Sequence, residues 1–407
     1  MTTLLTATNA RPSTPLRATK RLLPGALLFA ALAITAEETL AAAASGRVFD
    51  TRVAWPSSVR LTRAPYVQWT TTTSAHLVWN TREPSGSIVE YESASGTKAG
   101  VRNVVKTMLV TRHIVRLDGL KPATRYRYRI GAGKRVLASG TFETAKTSSQ
   151  AFSFVVWGDS GTGSRGQKTL ASRIQAQRPD FLLHSGDLVY PRGSVADFDP
   201  KFFSLYKPTV ARVPFYGALG NHDIGTRNGQ PFLDNFVFPR NGPRGVQPER
   251  HFSFDYGNAH IVVIDSNASE RQLREVVAPW IRADAAKTKA LWKFAVFHHP
   301  PFSSGLHGDE PRTLRALVPT FARLKFDIVF NGHDHHFERF APKSGVRYVV
   351  TGAGGAPLYP RRDQNPKTHA FRNDVYSLTR IDISGRTLRG RQISSDGAIL
   401  DDWKITK

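Results

Sequence analysis

The stretch Phe326-Asp327-Ile328-Val329-Phe330-Asn331-Gly332-His333-Asp334-His335 decides the fold. A short apolar run is followed at once by glycine and by residue types that bind metals. Continuous Val, Ile and Phe runs mark strands covered on both faces, as in sheets flanked by other layers. The same grammar recurs along the chain. Phe152–Trp157 ends in Gly158-Asp159, Phe181–Leu183 leads to Gly186-Asp187, and Phe215–Leu219 leads to Gly220-Asn221-His222-Asp223. Ile261–Ile264 ends at Asp265, Lys293–Phe297 at His298-His299, and Arg347–Val350 leads to Thr351-Gly352. Helical patterns lie between several of these runs, over Thr169–Gln177, Glu270–Ala286 and Arg312–Lys325, the last two interrupted by Pro279 and Pro319. Strand, polar residue, helix, strand is the order of an α/β sheet domain, and such sheets gather ligands just beyond the carboxyl ends of their strands.

Upstream the pattern is different. Short alternating runs, Ala75–Trp79, Ser87–Tyr91, Lys106–Val110, His113–Leu117 and Arg125–Ile130, are separated by Pro84-Ser85-Gly86, Ser95-Gly96 and Asp118-Gly119. Strands at that spacing predict a β-sandwich. The segment Leu117–Tyr128 resembles the tyrosine corner of fibronectin type III modules, with Tyr126 as the tyrosine that bonds back to the backbone. Residues 145–150 read as a polar linker. The expected organisation is a fibronectin type III-like domain over 58–146 and a catalytic-type α/β domain over 151–407.

The chain has 407 residues, with 56 Lys and Arg against 32 Asp and Glu, a net charge of +24. That balance draws anions and names none of them. The basic residues are scattered, without a nucleic-acid recognition motif, so no specific nucleic acid is expected; attraction to anionic surfaces is. No cysteine is present, which excludes disulfides, thiolate metal sites and a cysteine nucleophile. Lys20-Arg21, the apolar run Leu22–Ala36 and the alanines at 41–44 read as a signal peptide or targeting segment over 1–45. This reading predicts export to a periplasmic or extracellular space, with an uncleaved N-terminal anchor as its alternative.

Nine of the thirteen histidines lie between His222 and His336. Gly158-Asp159-Ser160-Gly161, Gly186-Asp187-Leu188-Val189-Tyr190, Gly220-Asn221-His222-Asp223, Val296-Phe297-His298 and Gly332-His333-Asp334-His335 occur in that order. Together they resemble the five-motif set of the calcineurin-like metallophosphoesterases, and within them the purple acid phosphatases. The preceding sandwich is similar to the N-terminal module of the plant-type enzymes. The fold implied has two domains, an N-terminal all-β fibronectin III-like sandwich and a C-terminal α/β metallophosphoesterase β-sandwich flanked by helices.

The resemblance also implies a ligand set. Asp159, Tyr190 and His335 would hold one metal ion, Asn221, His298 and His333 a second, and Asp187 would bridge them. Oxygen and imidazole donors of this mix suit Fe, Zn or Mn, and the family pattern implies Fe(III) paired with Fe, Zn or Mn. A metal-bridging hydroxide would then attack the phosphorus of a phosphate monoester, with no protein nucleophile. Tyr190 has two readings, a phenolate ligand to a hard trivalent ion or a packing residue beside a site without one. His222 would contact phosphate and serve the leaving group as an acid; His307, nine positions after His298, would contact substrate, as would Asn221.

Of the doublet His298-His299, the spacing from Trp292 and the following Pro300 favour His298 as the ligand, leaving His299, like His336, a supporting role. His184 reads as a buried hydrogen-bonded residue, and Asp223 and Asp334 as carboxylates orienting neighbouring imidazoles. Arg227, Arg240, Arg244 and Arg250 read either as a basic loop over the site or as a solvated surface loop. The expected activity is an exported phosphatase acting on small phosphoesters. The alternative is a phosphodiesterase acting on nucleotides, phospholipid headgroups or wall polymers. A binding module without catalysis is disfavoured by the intact ligand set.

Overall fold

The structure is a computed structural model that describes residues 58–95, 100–132 and 135–407. The targeting segment read over 1–45 lies outside the described residues. The first five strands, β1 (Leu61–Gln68), β2 (Ala75–Ser93), β3 (Arg102–Leu117), β4 (Arg125–Ala132) and β5 (Arg135–Glu143), pair antiparallel. β2 does not stop at Pro84-Ser85-Gly86, where the sequence predicted a turn. Its first half pairs with β1 and its second half with β4, and the register against β3 shifts between Asn80 and Ser87. Pro84 falls in that irregularity, where no ladder N–H is demanded of it. His113 spans the bend, bonded to the hydroxyls of Thr81 and Ser87 at 2.9 Å each. Trp79, Val89, Val115, Tyr128 and Phe142 fill the core between.

Tyr126 makes the corner bond expected of it. Its hydroxyl oxygen accepts the Lys121 N–H at 2.8 Å, while its ring stacks on Phe142 at 5.5 Å. Tyr126→Phe keeps the ring and loses the acceptor. The expected cost is about 1 kcal/mol, read as a lower urea midpoint at unchanged slope; an unchanged midpoint would show that the corner bond stabilises nothing.

The remaining chain forms two facing sheets. β6 (Phe152–Trp157), β7 (Phe181–His184) and β8 (Phe215–Gly217) run parallel. The second sheet is built from β9 (Phe252–Tyr256), β10 (Ala259–Val263), β11 (Trp292–Val296), β12 (Ile328–Asn331), β13 (Phe337–Phe340), β14 (Arg347–Thr351) and β15 (Thr368–Arg372), in the order β15-β13-β14-β12-β11-β10-β9. β10, β11, β12 and β14 are parallel to one another. The chain then returns to the first sheet as β16 (Ser377–Ser384), β17 (Thr387–Ser394) and β18 (Ile399–Thr406), giving the order β18-β17-β16-β6-β7-β8.

Side chains alternate along each strand, so one face of each sheet looks to the other sheet and one to the helices. Phe154 of β6 meets Phe294 of β11 at 5.4 Å and Phe330 of β12 at 6.3 Å between the sheets. Val262, Ala295, Phe297 and Val329 face outward, under Ile281, Leu317 and Phe321. Both faces are dry, which is why the strands read as unbroken apolar runs. The helix Arg165–Gln177 is capped by the Ser164 hydroxyl, which accepts the Gln167 N–H. The segment expected as one helix over Glu270–Ala286 contains a π turn, Leu273–Val277, ahead of the helix Ala278–Ala285. Pro279 sits in the first turn of that helix, where its missing N–H costs least. Pro319 stays inside Pro311–Arg323.

Candidate metal centre

β6, β7 and β8 of one sheet and β11 and β12 of the other all point their carboxyl ends to one place. The side chains that follow them form two groups. In the first, the Tyr190 hydroxyl lies 3.1 Å from His335 Nε2 and 3.4 Å from Asp159 Oδ1, and His335 Nε2 lies 3.6 Å from the same Asp159 oxygen. In the second, Asn221 Oδ1 lies 2.9 Å from His298 Nε2 and 3.0 Å from His333 Nδ1. Asp187 touches both, its Oδ2 being 3.0 Å from the Tyr190 hydroxyl and 3.4 Å from His298 Nε2.

The turns that carry these residues are tight. Asp159, Asp187 and His333 all adopt positive φ, 57°, 56° and 71°. Asp and His tolerate that region better than most residues, and strain of this kind concentrates at functional sites. A Cβ on Gly220 would fall 2.0 Å from Asp187 Oδ1, and one on Gly332 would fall 2.4 Å from Asp159 Oδ2. The glycines of the Gly-Asn-His and Gly-His-Asp-His motifs are therefore there to let the carboxylates approach.

The donor set fits metal ions. Asp159 and Asp187 are buried, and among the described residues neither is paired with Lys or Arg. His298 Nδ1 donates to Ser185 O at 3.0 Å and His335 Nδ1 donates to Pro357 O at 2.7 Å. Each of these bonds fixes the tautomer and turns the other nitrogen into the site, the usual outer support of metal-bound imidazoles. Burial acts against charge at His298, yet Asp187 and Asp159 hold its pKa up at about 9. Burial also opposes the Asp187 carboxylate, but the neighbouring His298 keeps it below its ordinary value. Burial, then Asp187 nearby, raises Asp159 and Tyr190 well above theirs, with His298 opposing the rise at Asp159. Burial lowers His335 to about 4. A pocket with two buried carboxylates and imidazole nitrogens turned into it is one a cation satisfies.

Around this centre, His222 Nδ1 donates to Pro191 O at 2.6 Å, and its Nε2 stands 3.9 Å from Asp187 Oδ2. The ring is 38% exposed and lies against Tyr190, with centroids 4.4 Å apart. His307 lies exposed at the rim with its ring on that of His333. His299 bonds Ser266 Oγ at 2.8 Å through Nδ1 and stands 4.7 Å from the His333 ring. His336 is buried against Phe371 and pairs with Glu338 at 3.2 Å. His184 is buried between Ser160 Oγ and the Gly186 N–H.

One expectation is corrected. Asp223 and Asp334 do not orient imidazoles. Asp223 accepts the backbone N–H groups of Leu188, Val189 and Gly220, so it clamps two ligand turns together. Asp334 accepts the His307 N–H at 2.9 Å and the Ser303 hydroxyl, which pins the His307 loop onto the His333 turn. Of the arginines after Asn221, Arg227, Arg240 and Arg244 are exposed, as the surface-loop reading has them. Arg250 is buried and pairs with Asp265 at 2.6 Å, and Arg227 reaches Asp234 at 3.7 Å on the surface. The sequence reading missed Tyr359, whose ring lies on His335. Burial, then the carboxylates of Asp159, Asp187 and Asp334, raises its phenol above the ordinary value. Its only sequence signal is its place on the loop after the strand end Thr351-Gly352.

Comparison with known proteins agrees with this geometry. Residues 152–337 match the family described as calcineurin-like phosphoesterase. Residues 52–155 match the purple acid phosphatase N-terminal domain, and 345–402 match the iron/zinc purple acid phosphatase-like protein C domain. The chain carries, in order, matches to a purple acid phosphatase N-terminal domain, a calcineurin-like phosphoesterase domain and a purple acid phosphatase-like C-terminal domain. Purple acid phosphatase 21 of Arabidopsis thaliana is 29% identical over 297 residues, covering 67% of this chain and 65% of the relative. Probable inactive purple acid phosphatase 27 of the same plant is 26% identical over 424 residues, covering 87% of this chain and 66% of the relative. The chain thus spans just under two thirds of the length of these two relatives. A purple acid phosphatase from yellow lupin (Lupinus luteus) seeds shares the fold, with a TM-score of 0.73 at 19% identity over 84% of this chain and 74% of that one.

Proposed function

We propose that the protein is an exported phosphatase that hydrolyses phosphate monoesters with two metal ions. The observation that carries this reading is the convergence of Asp159, Tyr190 and His335 on one side of Asp187 and of Asn221, His298 and His333 on the other. These seven residues would hold the ions, with Fe(III) favoured beside Tyr190 and Fe, Zn or Mn in the second position. Bound metal ions supply Lewis-acid polarisation of the phosphoryl group and lower the pKa of a water.

The chain's own residues do the rest. Asn221 and His222 face the space above Asp187 and position the phosphoryl oxygens. The His222 Nδ1–H bond to Pro191 O leaves Nε2 free toward the site, so the imidazolium delivers its Nε2 proton to the departing alkoxide. The products are inorganic phosphate and the free alcohol. The net charge of +24 raises the local concentration of anionic substrate. The test is a side-by-side rate measurement on an aryl phosphate monoester and the matching diester with metal-loaded protein across pH. A strong monoester preference is expected. A diester preference would overturn the monoesterase reading in favour of a phosphodiesterase on the same metal centre.

A further inference from the structure

The Gly332-His333-Asp334-His335 turn carries two imidazoles assigned to different metal ions, and each is covered by a ring outside the ligand set. His307 lies on His333 with centroids 4.2 Å apart and planes at 27°. Tyr359 lies on His335 at 3.9 Å and 14°. The two covering rings then meet edge to face, 5.5 Å apart at 70°. Beside them Leu306 is 44% exposed, a condition that few large apolar side chains of the described residues share. The floor of the site is carboxylate, amide, phenol and imidazole. Leu306 and the faces of these rings offer a phosphoryl group no hydrogen bond.

The lip is held in place. Tyr359 donates its N–H to His335 O at 3.2 Å, and its carbonyl accepts the Asn373 side-chain amide at 2.9 Å. Arg362 and Asp363, just beyond it, donate their backbone N–H groups to Ser304 O at 2.9 and 3.2 Å. The loop of Tyr359 is thereby tied to the loop of Leu306 and His307, which Asp334 anchors from below. The Tyr359 ring is only partly buried. Packing on His335 accounts for one face of that ring. It does not account for the exposed part of the ring or for Leu306 standing exposed next to a polar centre. A preorganised contact surface loses little freedom when a ligand arrives.

We propose that Tyr359 is a specificity-determining residue which, with His307 and Leu306, receives the alcohol side of the substrate and favours phosphate esters of planar aromatic or heteroaromatic alcohols. This rests on the phosphatase reading above and adds the substrate class to it. A planar group gains an offset-stacked or edge contact with the phenol and apolar contact with Leu306, which a small alkyl group does not.

The test is a binding measurement that does not need turnover. Phenylphosphonate and methylphosphonate, which lack the cleavable ester bond, are titrated calorimetrically into the metal-loaded full chain. Wild type is expected to bind the phenyl compound more tightly. Tyr359→Leu is expected to weaken phenylphosphonate by roughly three- to tenfold and to leave methylphosphonate and metal content unchanged, and Tyr359→Phe to retain most of the preference. Equal affinity of wild type for the two compounds would overturn the proposal, and that comparison does not depend on any variant folding. Equal weakening of both by Tyr359→Leu would also overturn it, because Tyr359 would then only support His335. Absence of hydrolysis of any ester would count against the phosphatase reading alone, since the phosphonate comparison stands without it.

Discussion

Asp187→Asn is expected to abolish phosphate-ester hydrolysis and to leave fewer than two metal ions per chain. Asp187 touches both donor groups, through Tyr190 at 3.0 Å and His298 at 3.4 Å. Asparagine has the same shape and keeps an oxygen for the His222 N–H, which Asp187 Oδ1 accepts at 2.9 Å. The turn should therefore fold as before. What is lost is the negative charge that a bridging position between two cations requires. With one ion gone, the clamp on attacking and leaving oxygens is gone as well, and a fall of about a thousandfold or more in kcat/KM is the scale expected. Metal analysis and initial rates on the purified variant check both halves. Near-normal rates with two ions retained would end the two-metal assignment.

His222→Ala is the second large effect, and it differs in kind. The imidazole is outside both donor groups, partly open to solvent, and held through Nδ1 on Pro191 O. Its removal should leave both ions in place and lower kcat by about a hundredfold to ten-thousandfold, the range for a positioned acid. The loss should be smaller for esters with good leaving groups, which need less help from a proton. Rates on a series of aryl phosphates of graded leaving-group pKa, with metal content measured in parallel, test this. An emptied metal position would place His222 among the ligands instead.

The strand-end positions of the converging side chains are legible because a parallel strand covered on both faces reads as an apolar run, and the residue after it is where chemistry sits. Phe152–Trp157 and Arg347–Val350 were placed within a residue of the observed strands β6 and β14. Tyr126 was legible for a similar reason, since a corner bond needs a tyrosine at a fixed distance from a turn. The roles of Asp223 and Asp334 were not legible. Their partners are backbone N–H groups of distant segments, and every residue but proline has one of those. β2 ran through Pro84 because a bulge tolerates a residue with no N–H to pair, which the local sequence does not announce. β16 enters the first sheet beside β6, more than two hundred residues away in sequence, and no local pattern carries a pairing of that range. Tyr359 escaped for the same reason, because its meaning comes from His335 lying beneath it.

The central claim is that one carboxylate, Asp187, joins two metal positions built from the ends of both sheets. Anomalous X-ray scattering from crystals of the metal-loaded protein tests it most directly. The account predicts two peaks per chain, one on the Asp159–Tyr190–His335 side of Asp187 and one on the Asn221–His298–His333 side. A single peak, or peaks away from Asp187, would contradict it.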